Sequence, residues 1–530
     1  MTVFILGAGV MQLPALAAAR ELGWRVAAAD GNPAAPGAAL ADEFFPIDLK
    51  DREGLLAAAR RLSARSGLDA VFTAGTDFSA MVASLAEALG LPGHGYDAAL
   101  AASDKLIMRS RFEAAGLPSP RFVELRADSP AELAETLPLP LVVKPADNMG
   151  ARGCRLARSR EELREAIAVA LPLSRTGRAI VEEYIEGPEY SIDALIYDGE
   201  LRIRGFADRH IDFSPYFVEL GHTIPSAATA DIRDRVLEVF EAGVRSLGLS
   251  HGAAKGDMKW CPARGTPVIG EIAARLSGGY MSGWTYPYAS GIDLTRDALL
   301  LAAGRRPKPA PIDRGWTSAE RAWISIPGKV ASTIGLREAK ASPGIKDLFL
   351  RASPGDSLRF PSNNIEKCGN LISQAPDRSG AVVCAEAAIK GIVIRLEAPN
   401  EATEAFLRGE GRIVVDGGAS WPPPAFRLPP PLASAIAALP DRVGRLPADA
   451  ASIPVHALPG CEACTSKDWA GRGFAESALL ALELGGAHLI EHSSASEPCL
   501  AGVFWRALAA GGVQAALYVL DSQRRDGRSP

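Results

Sequence analysis

The chain has 530 residues, 48% of them hydrophobic and 22% charged, with a formal net charge of −5. That length exceeds what one core holds, so three or four domains of an ordinary soluble globular protein are expected. The acidic balance, with no Lys/Arg-rich block, argues against nucleic acid or an anionic membrane as partner.

The first residues carry no basic segment and run directly into apolar residues 3–6, so no signal peptide is expected. No run approaches the roughly 18 uninterrupted apolar residues of a membrane-spanning helix. The seven cysteines are scattered and odd in number, a usage suited to a reducing compartment. A cytoplasmic protein is expected.

Residues 1 to about 100 alternate short apolar runs (3–6, 25–29, 69–74) with Ala/Leu-rich helical patterns (12–22, 52–66, 78–89). This βαβα order predicts a small parallel sheet with helices on its faces. The opening "FILGAGVMQLP" places Gly7 and Gly9 as a dinucleotide-binding turn does, but the third small residue of that fingerprint falls on Gln12. Close helix-to-strand packing excludes bulk there. The Rossmann-like βαβ reading therefore stands, while a nicotinamide or flavin cofactor is disfavoured. Gly75-Thr76-Asp77, between a strand and a helix, has the place of a ligand-contacting loop.

From about 101 to 305, strands mix with amphipathic helices such as 160–170 and 231–247. The Pro-rich stretch 305–315 reads as a linker, and 316 to about 420 reads as mostly β with short helices. "WPPPAFRLPPP" (421–431) is a second, stiff break, and 432–530 is an additional α/β segment. No internal repeat is seen. The fold class is α/β and α+β multidomain.

The chemistry begins at "PLPLVVKPADNMGARGCRL" (138–156). Lys144 lies inside an apolar strand, where an ammonium is costly unless an anion meets it. The loop that follows carries Asn148, Gly150, Arg152 and Gly153. Glycine lets backbone N–H groups approach a phosphate, and the lysine adds a point charge. On this reading Lys144→Ala relieves a buried charge and leaves stability unchanged or raised. An ordinary hairpin with a lysine at its edge would show the same residues. Upstream, Lys105 starts an amphipathic helix. Downstream come Glu182, Tyr184, Ile185 and Glu189 in "AIVEEYIEGPEYSIDALI", Asp257 in "SHGAAKGDMKW", and Glu271 and Arg275 in "GTPVIGEIAARLSGGYMSG".

In this order and spacing, residues 1 to about 305 resemble the ATP-grasp superfamily, in the branch of biotin carboxylase, carbamoyl phosphate synthetase and the L-amino-acid ligases. The resemblance implies a Rossmann-like N-terminal domain (1–100) that binds no dinucleotide, and an ATP-grasp core (101–305) with a lid subdomain at about 115–180. A β-rich C-terminal domain (316–420) would follow. It implies that Lys105 and Lys144 contact ATP phosphates, with Lys144 also near the adenine, and that loop 148–153 folds over them. Glu182, with the backbone at Tyr184 and Ile185, would read the adenine edge, and Glu189 would hold the ribose. Asp257 and Glu271 would ligate Mg²⁺ or Mn²⁺, and Arg275 would neutralise phosphate charge. Such a ligase joins a small-molecule carboxylate to an amine and leaves room for a homodimer. Two carboxylates supply the hard oxygen ligands that Mg²⁺ needs, and phosphoryl transfer needs positioning and charge neutralisation rather than a protein nucleophile.

One departure stands out. The family pattern E-x-N would place an Asn at position 273, and Ala273 stands there, which removes an amide oxygen from a second metal. Glu219 and His222, in "FVELGHTIPSA", lie in a segment that faces the phosphates or the acceptor in related ligases; a lone His is equally a satisfied structural residue. Cys461 and Cys464, with His488 and His492, have a C-x₂-C and H-x₃-H form that invites a zinc reading. The gap between the pairs is longer than in compact zinc fingers, and unpaired thiols are preferred. "SNNIEKCGNLIS" (362–373) could fold over the active site or simply form turns. A carboxylase using bicarbonate, which lacks support from any biotinyl-carrier segment, and a non-catalytic ATP-binding module remain as alternatives, with an oxidoreductase more distant.

Overall fold

In the computed structural model, which describes residues 1–129, 131–308, 315–415, 419–446, 451–490 and 498–526, the βαβ opening forms as expected. Strand β1 (Thr2–Leu6), helix α1 (Leu13–Glu21) and strand β2 (Arg25–Ala29) are followed by β3 (Glu43–Phe45), α2 (Arg52–Ser66), β4 (Ala70–Phe72) and α3 (Ser79–Leu89). The strands pair in parallel in the order β3-β2-β1-β4. Val3 and Ile5 pack with α1 residues Leu16 and Ala19, while Phe4 and Leu6 pack with Leu55 and Leu62 of α2. Period-2 alternation thus covers the sheet on both faces.

The helix expected at 12–22 starts one residue later, after a short 3-10 turn at Val10–Gln12. Gln12 is 1% exposed. Its Nε2 donates to the Ala74 carbonyl, and its Oε1 accepts from the Ala74 N–H at 3.1 Å. Asp30, at the end of β2, accepts from the N–H groups of Ala8 and Asn32, both at 2.8 Å. The polar groups a dinucleotide would meet are spent on the protein's own loops.

The chain continues through α4 (Tyr96–Ala101) and α5 (Lys105–Ala114) into an antiparallel sheet. Its strands are β5 (Phe122–Arg126), β6 (Leu141–Pro145), β7 (Arg155–Ala157) and β8 (Arg178–Glu183), ordered β5-β8-β6-β7, with α6 (Arg160–Leu173) inserted before β8. Leu141, Val143, Ala179 and Val181 form one core with Leu163, Ala166 and Ala170 of α6. Alternation therefore sends Val142, Lys144, Ile180 and Glu182 to the other face. Val142 is in register with Glu182 and Lys144 with Ile180, so Lys144 and Glu182 are diagonal neighbours.

A third, antiparallel sheet contains β9 (Glu189–Tyr197), β10 (Glu200–Asp212), β11 (Val218–Ile224), β12 (Gly252–Cys261) and β13 (Thr266–Ala273), in the order β13-β12-β9-β10-β11. Helix α7 (Ala230–Ser246) covers one face. Val236, Phe240 and Val244 pack there on Tyr190, Ile192, Ala254, Met258, Ile269 and Ile272. Asp257 is in register with Glu271, but Met258 is in register with Ile269, so Gly270 is an extra residue in β13. Without this bulge, Glu271 and Ala273 would share the apolar face with Ile269. With it, they join Asp257 and Lys255 on the opposite, polar face. A Cβ on Gly270 would lie 2.8 Å from the Asp257 carbonyl oxygen.

These elements belong to one compact unit, made of Met1–Ile211, Glu219–Glu320 and Gln374–Val382. The second unit comprises Asp212–Val218, Arg321–Ser373 and Val383–Pro530. In it, Gly328–Ile334 pairs with Ser357–Leu358 and Val393–Leu396, and Ile345–Leu350 pairs with Gly369–Ala375. The region 316–420 is β-rich, but it also holds a 14-residue helix at Arg378–Gly391. The second proline run begins helix Pro430–Ala438, with proline in its first turn, where the missing N–H costs nothing. Part of the first linker, residues 309–314, lies outside the described residues. In 432–530, a mixed sheet of Arg442–Val443, Cys499–Leu500, Ile453–His456 and Ala487–Ile490 packs with two further helices. One of them, Gly502–Asp526, kinks at Gly511 and Gly512. Its segment Gly502–Arg524 is long and apolar enough to cross a membrane by length and composition, although Arg506 and Gln514 interrupt the apolar run. Its apolar window is 78% buried inside the fold, as in a core helix.

Gln12→Ala should leave the Ala74 N–H and C=O buried and unpaired. We expect a loss of about 1–3 kcal/mol, read from urea unfolding, with no gain of NAD affinity in a calorimetric titration.

Candidate active site

Lys144 and Glu182 meet as their diagonal register requires. Lys144 Nζ donates to Glu182 Oε2 at 2.5 Å, and Arg109 Nε donates to Oε1 at 2.7 Å. The Glu182 and Arg109 side chains are 1% exposed and that of Lys144 is 24% exposed. Burial alone would raise the Glu182 pKa, but the charges of Arg109 and Lys144 prevail and hold it at about 2. The Lys144 ammonium is likewise held above its usual range, because Glu182 outweighs desolvation. The anion that meets Lys144 is thus the protein's own carboxylate. Lys144→Ala would then remove a partner of Glu182 instead of relieving a charge, which corrects the stability expectation. Both Glu182 oxygens are held by cations.

Arg109 went unnoticed in the sequence. It lies one turn after Lys105, beside Leu106, Met108 and Phe112, which are all buried, and a charge on a helix's apolar side is the sign that could have found it. Its Nη2 also donates to the Gly270 carbonyl at 2.6 Å. One guanidinium therefore joins α5, β8 and the bulge of β13.

Loop 148–153 follows β6. Gly150, Ala151 and Gly153 have φ of 68°, 59° and 72°, a left-handed run that glycine tolerates best. Lys105 Nζ donates to the Asn148 carbonyl at 2.7 Å, Asn148 Nδ2 donates to the Leu173 carbonyl at 3.2 Å, and Arg152 Nε donates to the Met149 carbonyl at 3.0 Å. Past β8, Lys259 Nζ donates to the Ile185 carbonyl at 2.8 Å and stands over the Tyr184 ring. Glu189 contacts Lys259 at 2.8 Å and Arg209 at 3.2 Å.

On the polar face of the third sheet, Asp257 and Glu271 are side by side in register. Asp257 Oδ1 accepts from Ser191 Oγ at 3.0 Å, its Oδ2 from Lys255 Nζ at 2.5 Å, and Arg209 Nη1 is 3.5 Å away. Burial would raise its pKa, yet Arg209 and Lys255 bring it to about 2. Glu271, with Lys105 Nζ at 3.9 Å, is also held below the usual carboxylate range, its neighbouring lysines outweighing desolvation. Two ionised carboxylates with hard oxygens fit a divalent cation. Among the described residues, no group of three or more His, Cys, Asp or Glu could hold a metal ion. The pair therefore suits an ion whose remaining ligands come from phosphates and water, as Mg²⁺ prefers.

Beside this pair, Arg209 Nε donates to Glu219 at 2.8 Å. His222, 3% exposed, has Nδ1 2.9 Å from Glu320 and Nε2 3.6 Å from Glu219. Burial alone would lower its pKa, but Glu219 and Glu320 raise it. Two carboxylates thus flank one buried imidazole. Arg275 is 7% exposed, and its Nη1 donates to the Leu276 carbonyl at 2.9 Å. Asp193, on β9, is fully buried. Its Oδ1 accepts from Ser277 N–H at 2.7 Å, while Oδ2 has no hydrogen-bond partner. Burial pushes its pKa up to about 6.

The other candidates belong to the second unit. Cys461 and Cys464 are free thiols, and His488 Nδ1 is 2.8 Å from Ser452 Oγ; His492 lies outside the described residues. In 362–373, Ser362 binds Glu366 through both its N–H and hydroxyl, and residues 369–373 form a strand.

Three domain families match the chain: an ATP-grasp N-terminal domain over residues 16–93, an ATP-grasp domain over 137–282, and an L-amino acid ligase C-terminal domain 2 over 322–397. The chain therefore carries ATP-grasp N-terminal and core domains, the domains of a class of ligases. Within that class, its C-terminal match is to the L-amino acid ligases. The structure is similar to that of an L-amino acid ligase from Bacillus licheniformis, with TM-score 0.65 and 22% identity, covering 75% of this chain and 98% of that one. Uncharacterized protein y4rH of Sinorhizobium fredii is 26% identical over 66% of this chain and 73% of its own length. Carnosine synthase 1 of Gallus gallus is 29% identical over 58% of this chain, which spans only 36% of that protein.

Two pH effects of opposite sign follow. Glu182 has a folded pKa near 2 against 4.5, so its stabilisation is present above pH 4.5 and lost as pH falls towards 2. Glu182→Gln should cost about 3–5 kcal/mol at pH 7, since it leaves the buried Arg109 without its carboxylate and takes the ion pair from the half-buried Lys144. Asp193 has a folded pKa near 6 against 3.8, so its contribution is full below pH 3.8 and lost as pH rises through 6. Asp193→Asn should therefore be more stable than wild type above pH 6, by up to about 3 kcal/mol. Urea unfolding from pH 3 to 8 measures both.

Proposed function

We propose that the chain is an ATP-dependent carboxylate–amine ligase. The observation that carries this reading is the paired Asp257 and Glu271 on adjacent strands, with Lys105 reaching Glu271 and the glycine-bearing loop rooted at Lys144. On this reading, a substrate carboxylate oxygen attacks the γ-phosphorus of ATP. The bond from phosphorus to the bridging oxygen breaks, and ADP leaves. An amine nitrogen then attacks the acyl carbon, the C–O bond to phosphate breaks with its electron pair, and the amine gives up a proton.

The protein's share is positioning and charge. Lys105, Lys144 and Arg275 meet developing phosphate charge, and loop 148–153 shields the acyl phosphate from water, since hydrolysis wastes ATP. Lys259 and Arg209 anchor Glu189 for the ribose. His222, between Glu219 and Glu320, holds carboxylates that face the acceptor, a positioning role. Mg²⁺ or Mn²⁺ at Asp257 and Glu271 neutralises phosphate oxygens when bound. The C-terminal match to L-amino acid ligases supports amino acids as both acid and amine.

Pairs of amino acids and small acids, screened for phosphate release, test this directly. Release that needs both an acid and an amine supports it; release driven by bicarbonate alone would make the chain a carboxylating grasp enzyme. Glu271→Gln should lose about 10²-fold or more in turnover, with ADP affinity in calorimetry kept. Lys144→Ala should lose activity and also melt earlier, unlike a variant of a purely phosphate-facing lysine.

A further inference from the structure

The polar face of the third sheet carries a residue that the ligase reading leaves unused. Lys255 on β12 is in register with Ala273 on β13 and with Asp193 on β9. Its side chain is 13% exposed, with Nζ 2.5 Å from Asp257 Oδ2. The next row along the same face is Ser191, Asp257 and Glu271. The ammonium therefore stands against one carboxylate of the proposed metal pair, opposite the alanine that offers no oxygen ligand.

The charges on this face are nearly matched before any ligand arrives. Asp257 has Lys255 and Arg209 beside it, and Glu271 has Lys105 at 3.9 Å. One divalent cation adds two positive charges, which a nucleotide's phosphates can answer. A second would meet a fixed ammonium on Asp257 and no carbonyl oxygen at 273, so it would gain little coordination and much repulsion.

We propose that Lys255 supplies from the protein the positive charge a second metal would bring, so that the site takes one divalent cation per nucleotide. This rests on the reading of the site as a nucleotide site. The Asp257 carboxylate keeps its ion pair to Lys255 and shares its other oxygen with the single ion. Lys255 is a positioning and charge-supplying residue, and the bare Ala273 leaves room for its stem.

The test counts metal, not turnover. The full chain is saturated with adenylyl imidodiphosphate and titrated with Mn²⁺, with bound ions counted by electron paramagnetic resonance. One uncoupled Mn²⁺ per chain is expected in the wild type. Two spin-coupled ions in the wild type would overturn the proposal, and that measurement needs no variant to fold. In the double variant Lys255→Ser with Ala273→Asn, a second Mn²⁺ should bind at least tenfold more tightly than in wild type and give a coupled spectrum. A double variant that still takes one ion would show that Lys255 does not set the count, which also overturns the proposal. Absence of nucleotide binding in calorimetry would instead bring down the nucleotide reading itself, and is distinguishable from either metal result.

Discussion

A strand has two faces, and one extra residue exchanges them. The site depends on that constraint at Gly270. Because β13 bulges there, Ile269 and Ile272 both reach the core under α7 although they are three residues apart, and Glu271 lies beside Asp257. The carboxylate pair is thus a property of register before it is one of chemistry. Arg109 reinforces it by binding the Gly270 carbonyl, so the irregular point of the strand is held from outside.

Much of this was legible from the residues alone. The βαβ opening and the lysine–loop–strand order came from period-2 and period-3.6 patterns, and the roles of the carboxylates of β12 and β13 only from the resemblance to the ATP-grasp superfamily. Gln12, which breaks the third small position of the dinucleotide fingerprint, is held by hydrogen bonds to both backbone groups of Ala74. What stayed hidden is what depends on partners distant in sequence. Arg109 lies 73 residues from Glu182, its nearest partner. The sequence alone therefore points Lys144 at a phosphate, whereas the chain itself supplies an anion. Glu320, 98 residues from His222, was equally out of reach. Lys255 was nearer to hand, since it alternates with Asp257 on one strand, and alternation alone puts both on the same face.

The two families of buried charge behave differently. Glu182 and Asp257 are carboxylates outnumbered by cations, and both ionise below the usual range. Asp193 has a backbone donor on one oxygen and none on the other, and burial prevails. Desolvation is the largest single contribution in all three cases; the close ion pairs of Glu182 and Asp257 overcome it, whereas the charges of Lys255 and Arg275 do not overcome it at Asp193.

The Arg109–Glu182–Lys144 triad has a bearing on ligand exchange. Lys144 is the more exposed of the two cations and can turn towards an arriving anion, whereas Arg109 is enclosed. If Lys144 changes allegiance, Glu182 still keeps its guanidinium. The carboxylate thus acts as a parking place for the lysine, and the bond it gives up is the outer of two. On the proposed reading, such a site would keep its lysine ammonium in an ordered position between turnovers, with Arg109 still paired to Glu182 when that ammonium departs.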